Sequence, residues 1–384
     1  MKILVLNYEY PPLGGGAGVV TQNLSQKLAE FGHRVTVVCT WFPGELVREE
    51  TGNLTIIRLR AKREYKHRSS VFEMLSWMRV SRVFLRDFAR GGVFDVCLTN
   101  FSVPGGVVAD YLNKKFGLKY VLISHGHDIP WIFPRQMFFY HLLLYFKIRK
   151  ICFRSQMNIV FTEEMKVNID RLVGSKRANW NKIIPNGVNF ERFAPEYSRR
   201  NDVFKILFVG RLVSQKDPVT FLMAIKLYLV KNPNILVNVI GDGVLRPSLE
   251  RFILDNGLRG IVNISGWLAP DKVIEEYQSA HVHVISSAYE AMSVSILESV
   301  ASGCYLITTP VGGIKELRSQ NVNITEVSFR SPEQIAVALD RYWADKSKSD
   351  NRLSSDRMAA FKQKYSWDVI ARKYEKCLSE SLAK

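Results

Sequence analysis

No Cys-x-x-Cys and no cysteine–histidine pair at metal-ligand spacing occurs in the chain, so Cys39, Cys97, Cys152, Cys304 and Cys377 frame neither a zinc site nor a disulfide scaffold. Reduced thiols in a cytosolic protein are the expectation. Long apolar runs are equally scarce. The longest, residues 137–146, lies between Arg135 and Lys147 and is about half of what a bilayer crossing requires. The apolar start breaks at Tyr8-Glu9-Tyr10-Pro11-Pro12 before an export signal would be complete, and reads as a first strand. A Gly-x-Gly-x-x-Gly fingerprint is missing, because Val19 stands where its last glycine would, and no acidic residue ends the second strand at Val38-Cys39-Thr40. Both absences disfavour a dinucleotide site, and the lack of Gly-Lys-Ser/Thr disfavours a P-loop nucleotidase.

What is present is a core-forming composition with a cationic excess. The 384 residues are 47% hydrophobic and 23% charged, which suits two globular domains and excludes a disordered or fibrous chain. Lys and Arg number 53 against 36 Asp and Glu, a net charge of +17. The excess is lopsided: residues 1–200 carry 30 basic and 16 acidic side chains, whereas residues 201–384 carry 23 and 20. Two segments of the first half, 71–90 and 137–154, mix arginine and lysine with large apolar side chains. Such a pattern suits an anionic membrane surface, and equally a core-facing helix with a solvated basic back. A nucleic-acid partner would also explain the charge, but no recognised motif accompanies it.

Short β-branched runs alternate with amphipathic stretches, the pattern of parallel sheets between helices. Strands are expected at 3–7, 34–40, 54–59, 94–99, 120–124 and 158–162. The pattern then begins again, with strands at 204–209, 235–240, 262–265, 282–286 and 305–308. We read an α/β chain of two doubly wound domains joined near residues 185–202, with ligand in the cleft between them. The expected boundaries are 1–190, 191–366 and a last helix within 367–384 that packs back on the first domain, after a solvated turn at 346–356.

Three constellations carry chemistry. After the first strand, Gly14-Gly15-Gly16-Ala17-Gly18 opens a helix, and glycine at such a turn lets backbone amides face an anion closely. In the second half, Arg211 ends a strand and Lys216 follows five residues on, near enough for one diphosphate, although spacing alone also allows a solvated surface pair. Downstream, Glu290-Ala291-Met292-Ser293-Val294-Ser295-Ile296-Leu297-Glu298 sets one acid in a loop and another in a helix. These acids could grip two parts of an extended polar ligand, or be a cap-region acid and a solvated helix acid.

Taken in order, the glycine turn, His125-Gly126-His127-Asp128, Asn186-Gly187-Val188, Gly210-Arg211-Leu212 with Lys216, Gly241-Asp242-Gly243, the Glu290 to Glu298 run, Ala301-Ser302-Gly303 and Gly312-Gly313 resemble the family 4 glycosyltransferases over nearly the whole chain. The resemblance implies the GT-B architecture of two facing Rossmann-like domains. It also implies sugar transfer from a nucleotide diphosphate with retention of configuration, and no metal or other cofactor. The chain contains no Asp-x-Asp, the usual metal–nucleotide clamp of the other large glycosyltransferase fold. By the same resemblance, Arg211 and Lys216 hold the donor phosphates, and Gly15 and Gly16 present amides to them. Glu298 holds the ribose hydroxyls, and Glu290 the donor sugar, with the amides of Met292 and Ser293. Trp267 stands where the base is recognised. His125 reaches the transferred sugar and the reacting centre, and Asp128 orients its imidazole or contacts acceptor, the former being expected.

The chain departs from the family pattern at Ala291, where glycine is common, at Asn189, where aspartate is frequent, and at Asp217, where glycine follows the lysine. Ala291 adds a Cβ where the backbone nears the sugar; none of the three removes a charged contact. The expected function is transfer from a UDP- or GDP-sugar to a hydroxyl of a lipid-linked saccharide, peripherally at the cytoplasmic face of an anionic membrane, with no nucleic-acid partner. The alternatives are a small soluble acceptor, or a nucleotide-sugar epimerase on the same fold.

Overall fold

The computed structural model describes residues 1–66, 69–89, 92–132, 138–200, 202–345 and 354–383. It divides into two compact units, unit 1 being Met1–Asn186 with the segment from Trp367, and unit 2 Gly187–Ser366. The first boundary thus falls at Asn186 rather than at residue 190, and the last helix belongs to unit 1. Residues 346–353 of the expected turn lie outside the described residues, as do Arg90 and Met137 of the two basic segments.

Unit 1 begins with β1 (Lys2–Leu6), α1 (Gly16–Glu30), β2 (Arg34–Thr40), β3 (Arg48–Thr51), β4 (Leu54–Leu59) and α2 (Val71–Ala89). It continues with β5 (Val96–Asn100), α3 (Gly106–Phe116), β6 (Tyr120–Ile123), α4 (Phe138–Arg154), β7 (Met157–Val160), α5 (Glu163–Val173), α6 (Ser175–Ala178) and β8 (Asn181–Ile183). The sheet order is β3-β4-β2-β1-β5-β6-β7-β8. Only β3 runs antiparallel among the described pairs. Ile3, Leu4, Val5 and Leu6 are all buried, as a strand covered on both faces requires. The polar edge strand β3 was not expected, because Arg48-Glu49-Glu50-Thr51 has no apolar face; charge of this kind on an edge discourages pairing with other chains.

Unit 2 runs β9 (Phe204–Val209), α7 (Pro218–Leu229), β10 (Ile235–Ile240), α8 (Arg246–Asp255), β11 (Val262–Gly266), α9 (Pro270–Ser279) and β12 (Val282–Ile285). Then follow α10 (Val294–Ala301), β13 (Tyr305–Thr308), α11 (Ile314–Arg318), β14 (Ile324–Glu326), α12 (Pro332–Asp345) and α13 (Ser355–Tyr365). Its parallel sheet is ordered β11-β10-β9-β12-β13-β14. Phe204, Ile206 and Phe208 of β9 bury against Phe221 and Ile225 of α7 and Leu339 of α12. Each such side chain contributes about 1.5–3 kcal/mol of apolar transfer.

The last helix, α14 (Trp367–Ala383), returns to unit 1 and packs on α1. Ile370, Ala371, Tyr374, Cys377 and Leu378 form its buried stripe. Polar pins fix its register: Lys27 with Asp368 at 3.1 Å, His33 Nε2 with Glu375 at 2.8 Å, and Lys119 Nζ donating to the Leu382 carbonyl at 3.1 Å.

Each sheet reverses its winding once near its centre. In unit 1 the chain moves from β1 outward through β2 to β4, then restarts on the other side of β1 at β5; in unit 2 it moves from β9 through β10 to β11, then restarts beside β9 at β12. The crevice at such a reversal, beyond the strands' carboxyl ends, is where doubly wound sheets take ligands. Two motif glycines let the unit 2 loops close in there. A Cβ on Gly241, at φ +133°, would strike the Gly210 carbonyl, and one on Gly312 would strike the carbonyls of Glu290 and Ala291.

Candidate active site

Unit 2 gathers its charged residues at this reversal, in the loops after β9 and β12. Gln215 Nε2 donates to the Tyr289 carbonyl at 3.1 Å, the Ala288 amide donates to the Gln215 carbonyl at 2.8 Å, and the Ser286 hydroxyl donates to the Asp217 carbonyl at 2.7 Å. So stitched, the loops bring Lys216 Nζ to 2.5 Å from Glu290 Oε1, across 74 residues of sequence. The Ser287 hydroxyl donates to the same oxygen at 2.7 Å, so neither of these donors is drawn by Oε2. Among the described residues, the half-buried Arg211 guanidinium has no hydrogen-bond or ion-pair partner. A cation held at a strand end without a counter-charge is poised for an anion.

Asp217 replaces the family's glycine at a backbone that is left-handed, φ +46° and ψ +55°. Its side chain compensates by capping α7, accepting from the Thr220 amide at 3.3 Å and the Thr220 hydroxyl at 2.7 Å. Ala291 is not among the non-glycine residues with positive φ, so its Cβ sits on unstrained backbone.

Glu298 lies on α10, whereas Glu290 lies in the loop before it, and burial raises the Glu298 carboxyl to about 7 against the opposing effects of the Tyr277 hydroxyl and Arg192. Met292 and Ser293 are buried at the start of α10, whose N-cap is Ser293. Trp267 directly follows β11 and is 53% exposed, an aromatic face at the sheet's carboxyl edge. His283 in β12 was not anticipated: it is fully buried with neither ring nitrogen partnered among the described residues, and burial together with Lys216 depresses its pKa to about 3.

Unit 1 presents the glycine turn and His125 at its own reversal. Gly15 caps α1, no acidic residue occupies the helix's first turn, and no side chain caps it. The Gly15 amide donates to Glu9 Oε2 at 3.4 Å, while Gly16 is exposed. His125 follows β6 with Nε2 2.9 Å from Asn100 Oδ1. Because Asn100 spends its Nδ2 on the Leu6 carbonyl at 3.2 Å, its oxygen faces the ring, so Nε2 carries the proton and Nδ1 is the bare acceptor. Burial, helped by His127, lowers the imidazole to about 3 and keeps it neutral. Phe101 packs on it at 4.5 Å between ring centroids and is itself held at φ +61°. A bulky residue in that region stores of order 1–3 kcal/mol of strain, tolerated where a site over-determines it.

Asp128 does not orient the imidazole, contrary to the expectation. Its carboxylate accepts from the backbone amides of His125 at 2.9 Å and Ser102 at 2.8 Å, so it fixes the turn while Asn100 fixes the ring. Asn100→Ala is expected to lower kcat about 10–100-fold while leaving the fold intact, since the ring loses its tautomer and direction. Steady-state rates beside a circular dichroism melt would check this, and an unchanged kcat would remove Asn100 from the site.

Among the described residues, no group of three or more His, Cys, Asp or Glu side chains could hold a metal ion. Likewise, no helix there is long and apolar enough to cross a membrane.

Two doubly wound units, each with polar groups at its winding reversal, have the GT-B architecture. The family model for glycosyltransferase family 4 matches residues 14–192, and that for group 1 glycosyl transferases matches residues 189–357. The chain belongs to this family of glycosyltransferases. It is 26% identical to an uncharacterized glycosyltransferase of Methanocaldococcus jannaschii, over 97% of this chain and 96% of that one. It is 25% identical to a polypeptide of the human phosphatidylinositol N-acetylglucosaminyltransferase, over 84% of this chain and 64% of that one. The solved structure of a sucrose-phosphate synthase from Thermosynechococcus elongatus superposes with a TM-score of 0.85 at 20% identity, covering 100% of this chain and 99% of that one.

Proposed function

We propose that the enzyme transfers a sugar, with retention and without a metal, from a UDP- or GDP-sugar to a hydroxyl of a lipid-linked saccharide at an anionic membrane surface. The observation that carries this reading is that one loop, where the unit 2 sheet reverses, holds both Arg211, which has no ion-pair partner among the described residues, and Lys216, which is paired with Glu290. As the bond between sugar and diphosphate breaks, negative charge grows on the departing phosphate. A guanidinium and an ammonium already in place stabilise that charge more than they stabilise the bound donor, which is what lowers a barrier. Gly15 and Gly16 amides are assigned to the same phosphates by the family resemblance. Glu290 Oε2 takes a donor-sugar hydroxyl, Glu298 the ribose hydroxyls, and Trp267 stands by the base.

His125, neutral and with Nδ1 bare, accepts a hydrogen bond at the reacting centre; it does not deliver a proton. The acceptor proton passes to the departing phosphate oxygen on the face the diphosphate leaves, so retention needs no protein nucleophile. Positioning and electrostatics supply most of the acceleration. A membrane-borne acceptor is supported by the cationic first half of the chain and by the human relative, whose name places its acceptor on phosphatidylinositol.

A thermal-shift panel of nucleotide sugars tests the reading. The matching donor at a hundred times its Kd should stabilise the protein by about 2.7 kcal/mol, a rise of several degrees. Prolonged incubation with that donor alone should release nucleoside diphosphate slowly. Epimerised donor, or no response to any nucleotide sugar, would overturn it.

A further inference from the structure

We propose that the face of unit 1 built by α2, α3 and α4 binds the phosphate headgroups of an anionic phospholipid bilayer, with a cationic groove at headgroup depth and an apolar stripe in the acyl layer. This deepens the reading of a membrane-borne acceptor, but its test needs no turnover. The groove has a volume of about 340 Å³, lined by Leu75, Arg79, Arg82, Val83 and Arg86 of α2 and by Tyr111 of α3. Those α2 positions recur at helical spacing and form one face. Among the described residues, Arg79 and Arg82 have no hydrogen-bond or ion-pair partner, and the buried Nε of Arg82 is unsatisfied. Arg82 lies over the Tyr111 ring at 5.6 Å, and Lys115 over the same ring at 5.7 Å.

More cations crowd in from α4. Lys147 is held below its usual pKa by burial, with Lys114, Arg82 and Lys150 adding to the depression and Asp110 opposing it. Asp110 is already engaged, by Lys114 at 2.6 Å and Arg154 at 3.3 Å. Arg86 pairs with its neighbour Asp87 at 3.1 Å, which leaves Arg79, Arg82, Lys147 and Lys150 as the cations without an ion-pair partner among the described residues, and phosphate is an anion that arginine takes well.

Beside it, α4 exposes Phe139, Leu142, Leu143 and Phe146, at i, i+3, i+4 and i+7, with Leu143 82% and Phe146 81% exposed. Phe72 on α2 is 78% exposed. Apolar stripes this open on a globular unit mark an interaction surface. Bordered by Lys147 and Lys150, they match a helix lying in a lipid interface, where acyl chains cover the stripe and headgroups neutralise the lysines.

Vesicle flotation of the full chain tests this, with phosphatidylcholine alone or mixed with phosphatidylglycerol. Wild type should prefer the mixed vesicles and lose binding as salt rises. Arg79→Gln with Arg82→Gln should lower the partition coefficient on mixed vesicles about twenty-five-fold, each cation contributing about five-fold. Leu143→Ser with Phe146→Ser should weaken binding to both vesicle types. Arg251→Gln with Arg259→Gln, in unit 2, should leave binding unchanged, and all variants should keep wild-type donor hydrolysis without vesicles. The proposal falls if wild type shows no anionic preference, if the unit 2 pair costs as much as the groove pair, or if a soluble short-chain lipid diphosphate binds the groove while mixed vesicles do not. Loss of donor hydrolysis in wild type would instead refute the transferase reading and leave this surface standing.

Discussion

Arg211→Ala and Lys216→Ala are each expected to lower kcat about 10²–10³-fold, the usual cost of removing one preorganised group from developing charge, about 2.7–4 kcal/mol. Their stabilities should differ. Arg211 has no partner to abandon among the described residues, so Arg211→Ala should melt with wild type. Lys216 answers Glu290, whose side chain is only 8% exposed and keeps a hydroxyl from Ser287 as its other donor. Removing the ammonium leaves a largely buried carboxylate uncompensated, at a cost of about 2–4 kcal/mol that partial protonation of the acid offsets. For a unit of this size that is a fall in Tm of roughly 5–10 °C.

The double variant Lys216→Ala with Glu290→Gln removes the stranded charge and should recover most of the lost Tm without recovering any turnover. Calorimetry and steady-state kinetics on the four proteins separate the two effects. Near-normal kcat in Arg211→Ala would sink the assignment of the donor diphosphate. A Tm in Lys216→Ala equal to wild type would show that Glu290 does not depend on the ammonium.

The architecture was legible because each buried strand is a run of apolar residues, as in Ile3 to Leu6 or Phe204 to Val209, and winding between such runs leaves few topologies. The edge strand β3 was not, because its backbone pairs with β4 while its side chains carry no pattern. The site divides in the same way. Motif glycines and cations are visible because their spacing is local. Pairings made across the sheet are invisible until strand order is known: Asn100 meets His125 because β5 lies beside β6, and Lys216 meets Glu290 because β9 lies beside β12. Asp128 misled for a geometric reason. Three residues after His125 suggests a side-chain partner, yet the turn carries that carboxylate back to the His125 amide.

Glu298→Gln is expected to abolish a pH dependence that wild type shows. In wild type the carboxyl sits at about 7, so donor recognition through ribose hydroxyls, which needs an ionised acceptor, should weaken nearly tenfold per unit as pH falls below 7 and level off above it. His125 and His283, both at about 3, contribute nothing in that window. The glutamine variant should bind donor with no such slope and, at pH 8, about 10–100-fold more weakly, since two hydrogen bonds lose a charged partner.

Stability of the free protein should move the opposite way. The folded pKa lies above the unfolded value of about 4.5, so this group's stabilising contribution is present below 4.5, falls as pH rises to 7, and is gone above it. Glu298→Gln should therefore be the more stable protein at pH 8, by of order 2 kcal/mol, while being the weaker binder. Isothermal titration of the donor beside denaturant melts at pH 5.5, 7 and 8.5 reads both quantities. Donor affinity flat in wild type across that range would remove Glu298 from the ribose. A glutamine variant less stable than wild type at pH 8.5 would show that the carboxylate is compensated where it lies.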